Sequence, residues 1–256
     1  MVIALDVSDG VAVVTLNRPE ARNALNSELM RALPEAMAEA DGRDDVGAIV
    51  LTGADPAFCA GLDLKELGGS GDNYRSTGSG RPWAATGKPV VGAVNGAAVT
   101  GGLELALQCD FLVASDRARF ADTHARVGIL PGWGLTVLLP QAVGVRMAKE
   151  MSFTGNFLDA EGALAAGLVN HVVPHGRLLD TATGLARDIA GNDGDTVQAL
   201  RASYGRVIGI TADEGLRLEA EAQREWSTRF DPAEVARRRQ AIIERGRAQT
   251  SEASGT

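Results

Sequence analysis

Short apolar runs, separated by polar segments, dominate the first two thirds of the chain. Residues 3–7 and 11–16 are rich in β-branched side chains and flank Asp9 and Gly10. An Asp-Gly pair between two such runs is a strong hairpin signal. Four later runs are short enough to be buried strands, at 48–51, 90–94, 111–114 and 168–173. Helical patterns lie between these runs, so the chain is predicted to be an α/β protein of ββα or βαβ units around a parallel sheet.

The first predicted helix follows a polar loop, NRPEARNALN. Asn26 or Ser27 is placed to cap it, and Leu29, Leu33 and Met37 recur at helical spacing. Pro34 lies inside this pattern, which predicts a kink or an early break.

The segment 66–80, ELGGSGDNYRSTGSG, is dominated by Gly and Ser. It is predicted to be a mobile loop. It is either a tolerated surface insertion or a flap over a substrate, and the sequence leaves both open.

Strand patterns stop after about residue 191. We therefore predict a core domain over residues 1–195 and a helical region over 196–256. Asp231 and Pro232 suit the start of the last helix, and Gly246 suits its end.

The composition limits the partners of the chain. It has 256 residues and a formal net charge of −8, so there is no overall basic surface for nucleic acid. Cys59 and Cys109 have no metal-ligand spacing and predict no disulfide framework. The N-terminus lacks the pattern of a signal peptide. The most apolar stretch, 89–114, contains charged and polar residues, so we expect no membrane span and a cytoplasmic protein.

Two glycine-containing turns are the candidates for chemistry, AFCAGLDLK at 57–65 and NGAAVTGGLELA at 95–106. Each follows a predicted strand and leads into a helix. Small residues let a ligand approach the backbone, and the N–H groups of a helix start favour negative charge.

Glu104 follows Gly101 by three residues, so the two share a helix face. It is either a first-turn glutamate that favours the helix dipole or a functional carboxylate. The surrounding apolar residues favour the second interpretation, because a buried carboxylate without a partner is costly.

Together with these turns, several segments resemble the crotonase family, also called the enoyl-CoA hydratase/isomerase family. They occur in the family's order and are NRPEARNALN, GAIVLTG, AFCAGLDLKEL, KPVVGAVNGAAVTGGLELALQCD, RARFADTHARVGILPGWG and GNFLDAEGALAAGLVNHVVP. The resemblance implies a spiral of ββα units followed by a helical C-terminal region that forms trimers, which often pair into hexamers.

The resemblance also implies a site. The oxyanion hole for an acyl-CoA thioester would use the N–H groups of Leu62 and Gly101. CoA would lie along Arg22, Ala24, Ala60, Asp63, Leu64 and Lys65. The resemblance further implies no metal or redox cofactor, and CoA is part of the substrate.

The catalytic residues depart from the family pattern at one position. The first glutamate of the hydratases matches Glu104, whereas the second matches His124. His124 is a candidate acid, since imidazole titrates near pH 6.5. The alternative is that it only hydrogen-bonds Asp122 or a backbone group. The other histidines, His171 and His175, are interpreted as structural or exposed.

Two further departures concern the pocket. Trp133 replaces a small residue, and it either narrows the acyl site or packs on the core or a neighbouring subunit. The last helix carries Arg237, Arg238, Arg239, Arg245 and Arg247. These arginines either meet CoA phosphates or form a solvated face.

The sequence therefore predicts an enoyl-CoA hydratase with Glu104 as base and His124 as acid or orienting group. Another crotonase reaction, such as isomerisation or thioester hydrolysis, is the close alternative, because one fold serves many reactions. A non-catalytic acyl-CoA-binding protein is the second alternative.

Overall fold

The structure is a computed structural model that describes residues 1–74 and 80–253, with side chains described up to residue 247. It divides into two compact units, Met1–Ala199 and Leu200–Thr256. The sequence placed this division at residue 195. The predicted role of the second unit in oligomerisation stays a prediction.

The strands of the first unit form two sheets. They are β1 (Ile3–Ser8), β2 (Val11–Leu16), β3 (Ala48–Gly53), β4 (Ala57–Cys59), β5 (Val90–Val94), β6 (Ala97–Val99), β7 (Phe111–Ser115), β8 (Arg119–Ala121), β9 (Leu158–Asp159) and β10 (His171–Val173). The larger sheet has the order β1-β2-β3-β5-β7-β10 and is parallel except for the β1–β2 hairpin.

The predicted hairpin is confirmed. Ser8 pairs with Val11, and the two residues between them, Asp9 and Gly10, have φ angles of 51° and 76°. Positive φ at both positions of a two-residue turn matches the right-handed twist of the strands.

The central strands are buried on both faces of the larger sheet. In β3, Ile49 and Leu51 belong to one core cluster, whereas Ala48 and Val50 belong to another. This is why the sequence shows continuous apolar runs here instead of alternation.

The smaller sheet has the order β4-β6-β8-β9, and the sequence did not predict it. Its strands have only two or three residues, too few to show a period. β4, β6 and β8 are parallel, so their carboxyl ends lie at the same edge. The segments that follow them begin at Ala60, Thr100 and Asp122, and this edge positions the site described below.

The helices are α1 (Ser27–Gly42), α2 (Leu64–Gly69), α3 (Gly101–Leu107), α4 (His124–Val127), α5 (Leu135–Thr154), α6 (Ala160–Ala165), α7 (Leu178–Ala190), α8 (Gly194–Val207), α9 (Ala212–Ser227) and α10 (Pro232–Ala253). The Asn26 side chain caps α1 by accepting from the backbone N–H of Leu29 at 2.9 Å. In the part of the chain that the structure describes, no helix is long and apolar enough to span a bilayer.

The structure differs from the sequence-based expectations at three element boundaries. Of the two outcomes predicted at Pro34, a kink or an early break, the early break does not occur, because the buried face of α1, including Leu33 and Met37, holds the helix together up to Gly42. α10 likewise continues through Gly246, since a glycine inside a helix costs only about 1 kcal/mol. The predicted strand at 168–173 is limited to β10, because Leu168 and Val169 pack into the core before the strand begins.

The predicted mobile loop at 66–80 was wrong for its first part. Residues 66–69 belong to α2, which the Asp63 side chain caps by accepting from the backbone N–H of Lys65 at 3.1 Å. Glu66 in turn accepts from the backbone N–H of Ser27 at 3.0 Å, which ties α2 to the start of α1. Residues 75–79 of the predicted loop lie outside the described residues.

Candidate active site

The two glycine turns predicted from the sequence lie side by side. The backbone N–H of Leu25 donates to the carbonyl of Gly61 at 2.7 Å. A side-chain carbon built on Gly101 would lie 3.8 Å from the Cα of Gly61 and 3.0 Å from Leu25. The backbone that carries the Leu62 and Gly101 N–H groups is therefore brought to one place.

The start of α3 is held in an unusual conformation. Thr100 has φ 55° and ψ −112°, a region that β-branched residues rarely adopt. Its N–H donates to Ala121 at 2.8 Å, and its Oγ1 lies 2.5 Å from the Oγ1 of Thr123. These contacts fix the peptide that precedes Gly101 and join the start of α3 to the segment that carries His124.

Gly102 lets α3 pack against β4. A side-chain carbon at this position would lie 2.0 Å from the carbonyl oxygen of Cys59, which is backbone and cannot move aside. The close approach of the two turns therefore requires glycine at 102.

The side chain of Glu104 is buried, with 3% of its residue surface exposed. Its Oε1 accepts from the backbone N–H of Trp133 at 2.7 Å. Its Oε2 lies 3.5 Å from the Nε2 of His124. The carboxylate that seemed to lack a partner in the sequence thus has a backbone donor on one oxygen and an imidazole opposite the other.

The ring of His124 lies between two carboxylates. Its Nδ1 is 2.6 Å from Oδ1 of Asp122, and its Nε2 faces Glu104. Burial lowers the pKa of His124, but the hydrogen bonds to Asp122 and Glu104 outweigh burial and raise the pKa to about 9. The predicted contact with Asp122 is therefore present, and the other ring nitrogen faces Glu104. The role of His124 as an acid stays a prediction.

A cavity of about 450 Å³ brings the predicted residues together. Leu62, Gly101, Glu104 and His124 all line it, although they come from three separate segments. The remaining wall consists of Met30, Asn73, Tyr74, Ile129, Leu130, Pro131, Gly132 and Trp133. The cavity therefore combines two backbone turns, a buried carboxylate and an imidazole.

The residues predicted to bind CoA lie along one groove of about 540 Å³. The groove is lined by Arg18, Glu20, Ala21, Arg22, Ala24, Ala60, Leu62, Asp63, Leu64 and Lys65. This lining includes all six residues that the family resemblance assigned to CoA binding. Leu62 lines the groove and the cavity, so one residue borders both.

Some residues of the site were not predicted. Arg18 pairs with Asp63 at 3.1 Å and donates to the carbonyl of Ala24, so it holds two sides of the groove together. Asn73 donates to the carbonyls of Leu25 and Asp63 at 3.1 and 3.0 Å. Arg18 lies inside the NRPEARNALN segment, so the family resemblance could have pointed to it. Asn73 lies in the segment interpreted as a loop, where no sequence pattern indicated a role in the site.

A second histidine lies in a serine–histidine–aspartate arrangement outside the cavity. His175 has Ser115 Oγ 3.0 Å from Nδ1 and Asp55 Oδ2 3.1 Å from Nε2. Ser115 is fully buried, and its hydroxyl also bonds Asp116 and the backbone N–H of Arg117. The serine is inaccessible to a substrate, so the arrangement is structural.

Within residues 1–74 and 80–253, no three His, Cys, Asp or Glu residues are grouped so as to hold a metal.

Known proteins share the sequence pattern and the fold of this chain. The family model described as enoyl-CoA hydratase/isomerase matches residues 6–250. The chain belongs to the enoyl-CoA hydratase/isomerase family. It is 40% identical over 221 residues to a probable enoyl-CoA hydratase of Rhizobium meliloti, covering 85% of this chain and 86% of that protein. It is 37% identical over 232 residues to a short-chain-enoyl-CoA hydratase of Clostridium acetobutylicum, covering 86% and 87%.

The fold predicted from the family resemblance is confirmed by solved structures. The crystal structure of an enoyl-CoA hydratase from Mycobacterium tuberculosis H37Rv has 52% identity and a TM-score of 0.77, and the match covers 89% of this chain and 100% of that chain. At this level of similarity, family membership and fold are both established.

Proposed function

We propose that this protein is an enoyl-CoA hydratase, which adds water across the 2,3 double bond of a 2-enoyl-CoA thioester. The observation that carries the proposal is the 3.5 Å distance between Oε2 of Glu104 and Nε2 of His124, in a cavity that Leu62 and Gly101 also line. The names of the two relatives and of the solved structure support the same reaction.

The thioester oxygen is proposed to accept hydrogen bonds from the N–H groups of Leu62 and Gly101. Gly101 is the first residue of α3, so its N–H has no partner within the helix. Negative charge develops on the thioester oxygen when water adds at C3. One such donor typically stabilises the transition state by ~3–4 kcal/mol.

Glu104 and His124 are proposed to share the proton transfers. Glu104 takes a proton from water as the water oxygen bonds to C3, and the His124 imidazolium gives its Nε2 proton to C2. The proton on Glu104 then returns to Nε2, so the net change is the addition of one water. Acid–base groups of this kind typically contribute roughly 10²–10⁴-fold to the rate.

The environment of both groups supports these roles. A pKa of about 9 keeps His124 protonated at neutral pH, so the ring carries the proton that an acid must give up. The hydrogen bond from the N–H of Trp133 occupies Oε1 of Glu104 and leaves Oε2 to receive the proton of water.

We propose that CoA lies in the groove described above and that Trp133 limits the length of the acyl chain. Trp133, Met30 and Asn73 line the catalytic cavity and also a second cavity of about 320 Å³, which Trp83 lines as well. Trp133 is therefore the largest side chain among the walls that the two spaces share. The short-chain enzyme of Clostridium acetobutylicum is consistent with a short acyl group here.

Assembly as a trimer or a pair of trimers is part of the same proposal. Large apolar side chains are exposed on and after α5, among them Val137, Val145, Phe153 and Phe157. Burial of such residues against another copy of the chain would remove apolar surface from water. Sedimentation velocity tests this directly, since a monomer at micromolar concentration would contradict it.

The reaction is tested by following the absorbance of the conjugated enoyl thioester with crotonyl-CoA. We expect the band to decay with the wild type, and to decay at least roughly 100-fold more slowly with Glu104→Gln and with His124→Gln. His171→Gln is the matched control, because this exposed histidine lies outside the cavity, and should keep the wild-type rate. If the wild type leaves the band unchanged while calorimetry detects CoA-ester binding, the protein is not a hydratase.

A further inference from the structure

Asp122 lies behind the His124 ring, at the end of β8. Both side chains are buried, with 2% and 5% of their residue surface exposed. The same Asp122 oxygen, Oδ1, is 2.6 Å from Nδ1 of His124 and accepts from the backbone N–H of His124 at 3.1 Å. Because Oδ1 of Asp122 contacts both the backbone N–H and the ring nitrogen of His124, the orientation of the ring is fixed. Asp122 is absent from the cavity wall, so its effect on the site passes through His124.

The direction of the hydrogen bond between the two side chains follows from the charge on Asp122. Burial raises the pKa of this carboxyl, but hydrogen bonds with His124 and Ser152 outweigh burial and hold the pKa below its usual range. An ionised carboxylate only accepts hydrogen bonds. Nδ1 of His124 must therefore carry a hydrogen in the neutral ring as well as in the imidazolium.

This assignment leaves one nitrogen for proton exchange. Nε2 is protonated in the imidazolium and bare in the neutral ring, and it faces Oε2 of Glu104 at 3.5 Å. In the opposite tautomer, with hydrogen only on Nε2, the lone pair of Nδ1 would face the ionised Asp122 oxygen at 2.6 Å. Two acceptors would then oppose each other in a buried place, and the side-chain hydrogen bond would be lost, which is costly.

We propose that Asp122 is a positioning residue, which keeps a hydrogen on Nδ1 of His124 and directs Nε2 at the reacting atoms beside Glu104. The expected effect of Asp122 on the hydration rate rests on the proposed hydratase function. The position of the hydrogen on the His124 ring does not depend on that function. Among the described residues, the carboxylates that face the His124 ring are those of Asp122 and Glu104. The hydroxyl of Ser152, in α5, bonds Asp122, and Tyr74 lines the catalytic cavity together with His124.

The state of the ring is measured directly by ¹⁵N NMR of histidine-labelled protein. The chain has only three histidines, and the His124 signals are identified by their loss in His124→Gln. We expect the wild-type ring to titrate near pH 9 and, above that pH, to show a protonated Nδ1 and a bare Nε2. A neutral wild-type ring with its hydrogen on Nε2 would overturn the proposal without any Asp122 variant.

Asp122→Asn removes the charge and keeps the size of the side chain. We expect the acid dissociation constant of His124 to rise at least about 10-fold, so that the ring titrates at least one pH unit lower. Ser152→Ala is the matched control, since it removes a partner of Asp122 and keeps the carboxylate, and should leave the titration near its wild-type position. An unchanged titration in folded Asp122→Asn would also overturn the proposal.

The kinetic test separates positioning from a general structural role. Asp122→Asn should lower kcat by roughly 10-fold or more, change KM for crotonyl-CoA less than about 3-fold, and move the alkaline limb of the kcat profile to lower pH. Equal losses at every pH would contradict a role through His124. If the wild type hydrates no enoyl-CoA, the proposed function fails, and the NMR titration still decides the role of Asp122.

Discussion

The backbone N–H of Trp133 donates to Oε1 of Glu104 at 2.7 Å, so the residue that supports the carboxylate does so with its main chain. Its indole ring is left to shape the cavity: the ring carbon Cζ3 would lie 3.7 Å from a side-chain carbon built on Gly101. The two contributions of Trp133 can therefore be separated by substitution, since a change of side chain keeps the N–H.

Trp133→Ala should shift the preference of the enzyme towards longer acyl chains. Trp133 is a wall shared by the catalytic cavity and the second cavity, so we expect removal of the indole to open one into the other. We expect the ratio of kcat/KM for a 12-carbon enoyl-CoA to that for crotonyl-CoA to rise at least about 10-fold, or about 1.4 kcal/mol. Trp83→Ala is the control, because Trp83 borders only the second of these two cavities. An unchanged ratio in Trp133→Ala would show that the acyl chain does not extend past Trp133.

The free energy of unfolding should fall as the pH rises from 7 to 9. The pKa of His124 is raised from 6.5 to about 9 in the folded protein, so the folded state binds a proton in this range that the unfolded state has lost. The stabilisation is complete below pH 6.5 and is lost through pH 9, at a slope of up to about 1.4 kcal/mol per pH unit. Urea unfolding at several pH values measures the slope. His124→Gln should remove the contribution of His124 to this slope. An equal slope in the wild type and the variant would refute a raised pKa of His124.

The same protonation should limit the reaction at high pH. Because the imidazolium is the proposed acid, the hydration rate should be level between about pH 7 and 8 and fall above about pH 9. Stopped-flow rates from pH 6 to 10.5 test this expectation. A rate that still rises above pH 9 would mean that neutral His124 is the active form.

Gly102→Ala should destabilise the protein by about 3 kcal/mol or more, because the new side chain would lie 2.0 Å from a backbone oxygen of Cys59. Gly184→Ala is the matched control in another helix. A side chain there meets nothing within 4 Å and should stabilise by up to about 1 kcal/mol. Thermal or urea unfolding compares the two. A stable Gly102→Ala protein would mean that α3 and β4 are not packed as described.

The cations of the groove should affect the binding of CoA esters more than catalysis. Arg22 and Lys65 are exposed and line the groove. The double variant Arg22→Met, Lys65→Met should raise KM roughly 5- to 10-fold with little change in kcat. The reason is that an exposed ion pair between a cationic side chain and a CoA phosphate contributes up to about 1 kcal/mol. The effect should shrink at high ionic strength. Arg187→Met, an exposed arginine paired with Asp9, serves as the control and should leave KM unchanged.

The local features of the fold could be predicted because they depend on neighbouring residues. The Asp9–Gly10 turn, the Asn26 cap and the apolar runs of β3, β5 and β7 need only a few consecutive positions to be recognised. The burial of Glu104 was also predicted, since its helix is apolar all round. The helix break expected as one outcome at Pro34 and the helix end expected at Gly246 do not occur, because packing and neighbouring helix formers outweigh the local penalty of these residues.

The sequence by itself thus determined the apolar strands of the larger sheet, the first and last helices and, through a family resemblance, the candidate site residues. Only the tertiary structure decided that His124 lies between Asp122 and Glu104. That arrangement depends on β4, β6 and β8, whose few residues carry no period but whose parallel pairing places three distant segments at one edge. The physical reason is that a local pattern reflects burial and backbone preference, whereas the state of a proton depends on charges brought together across the chain.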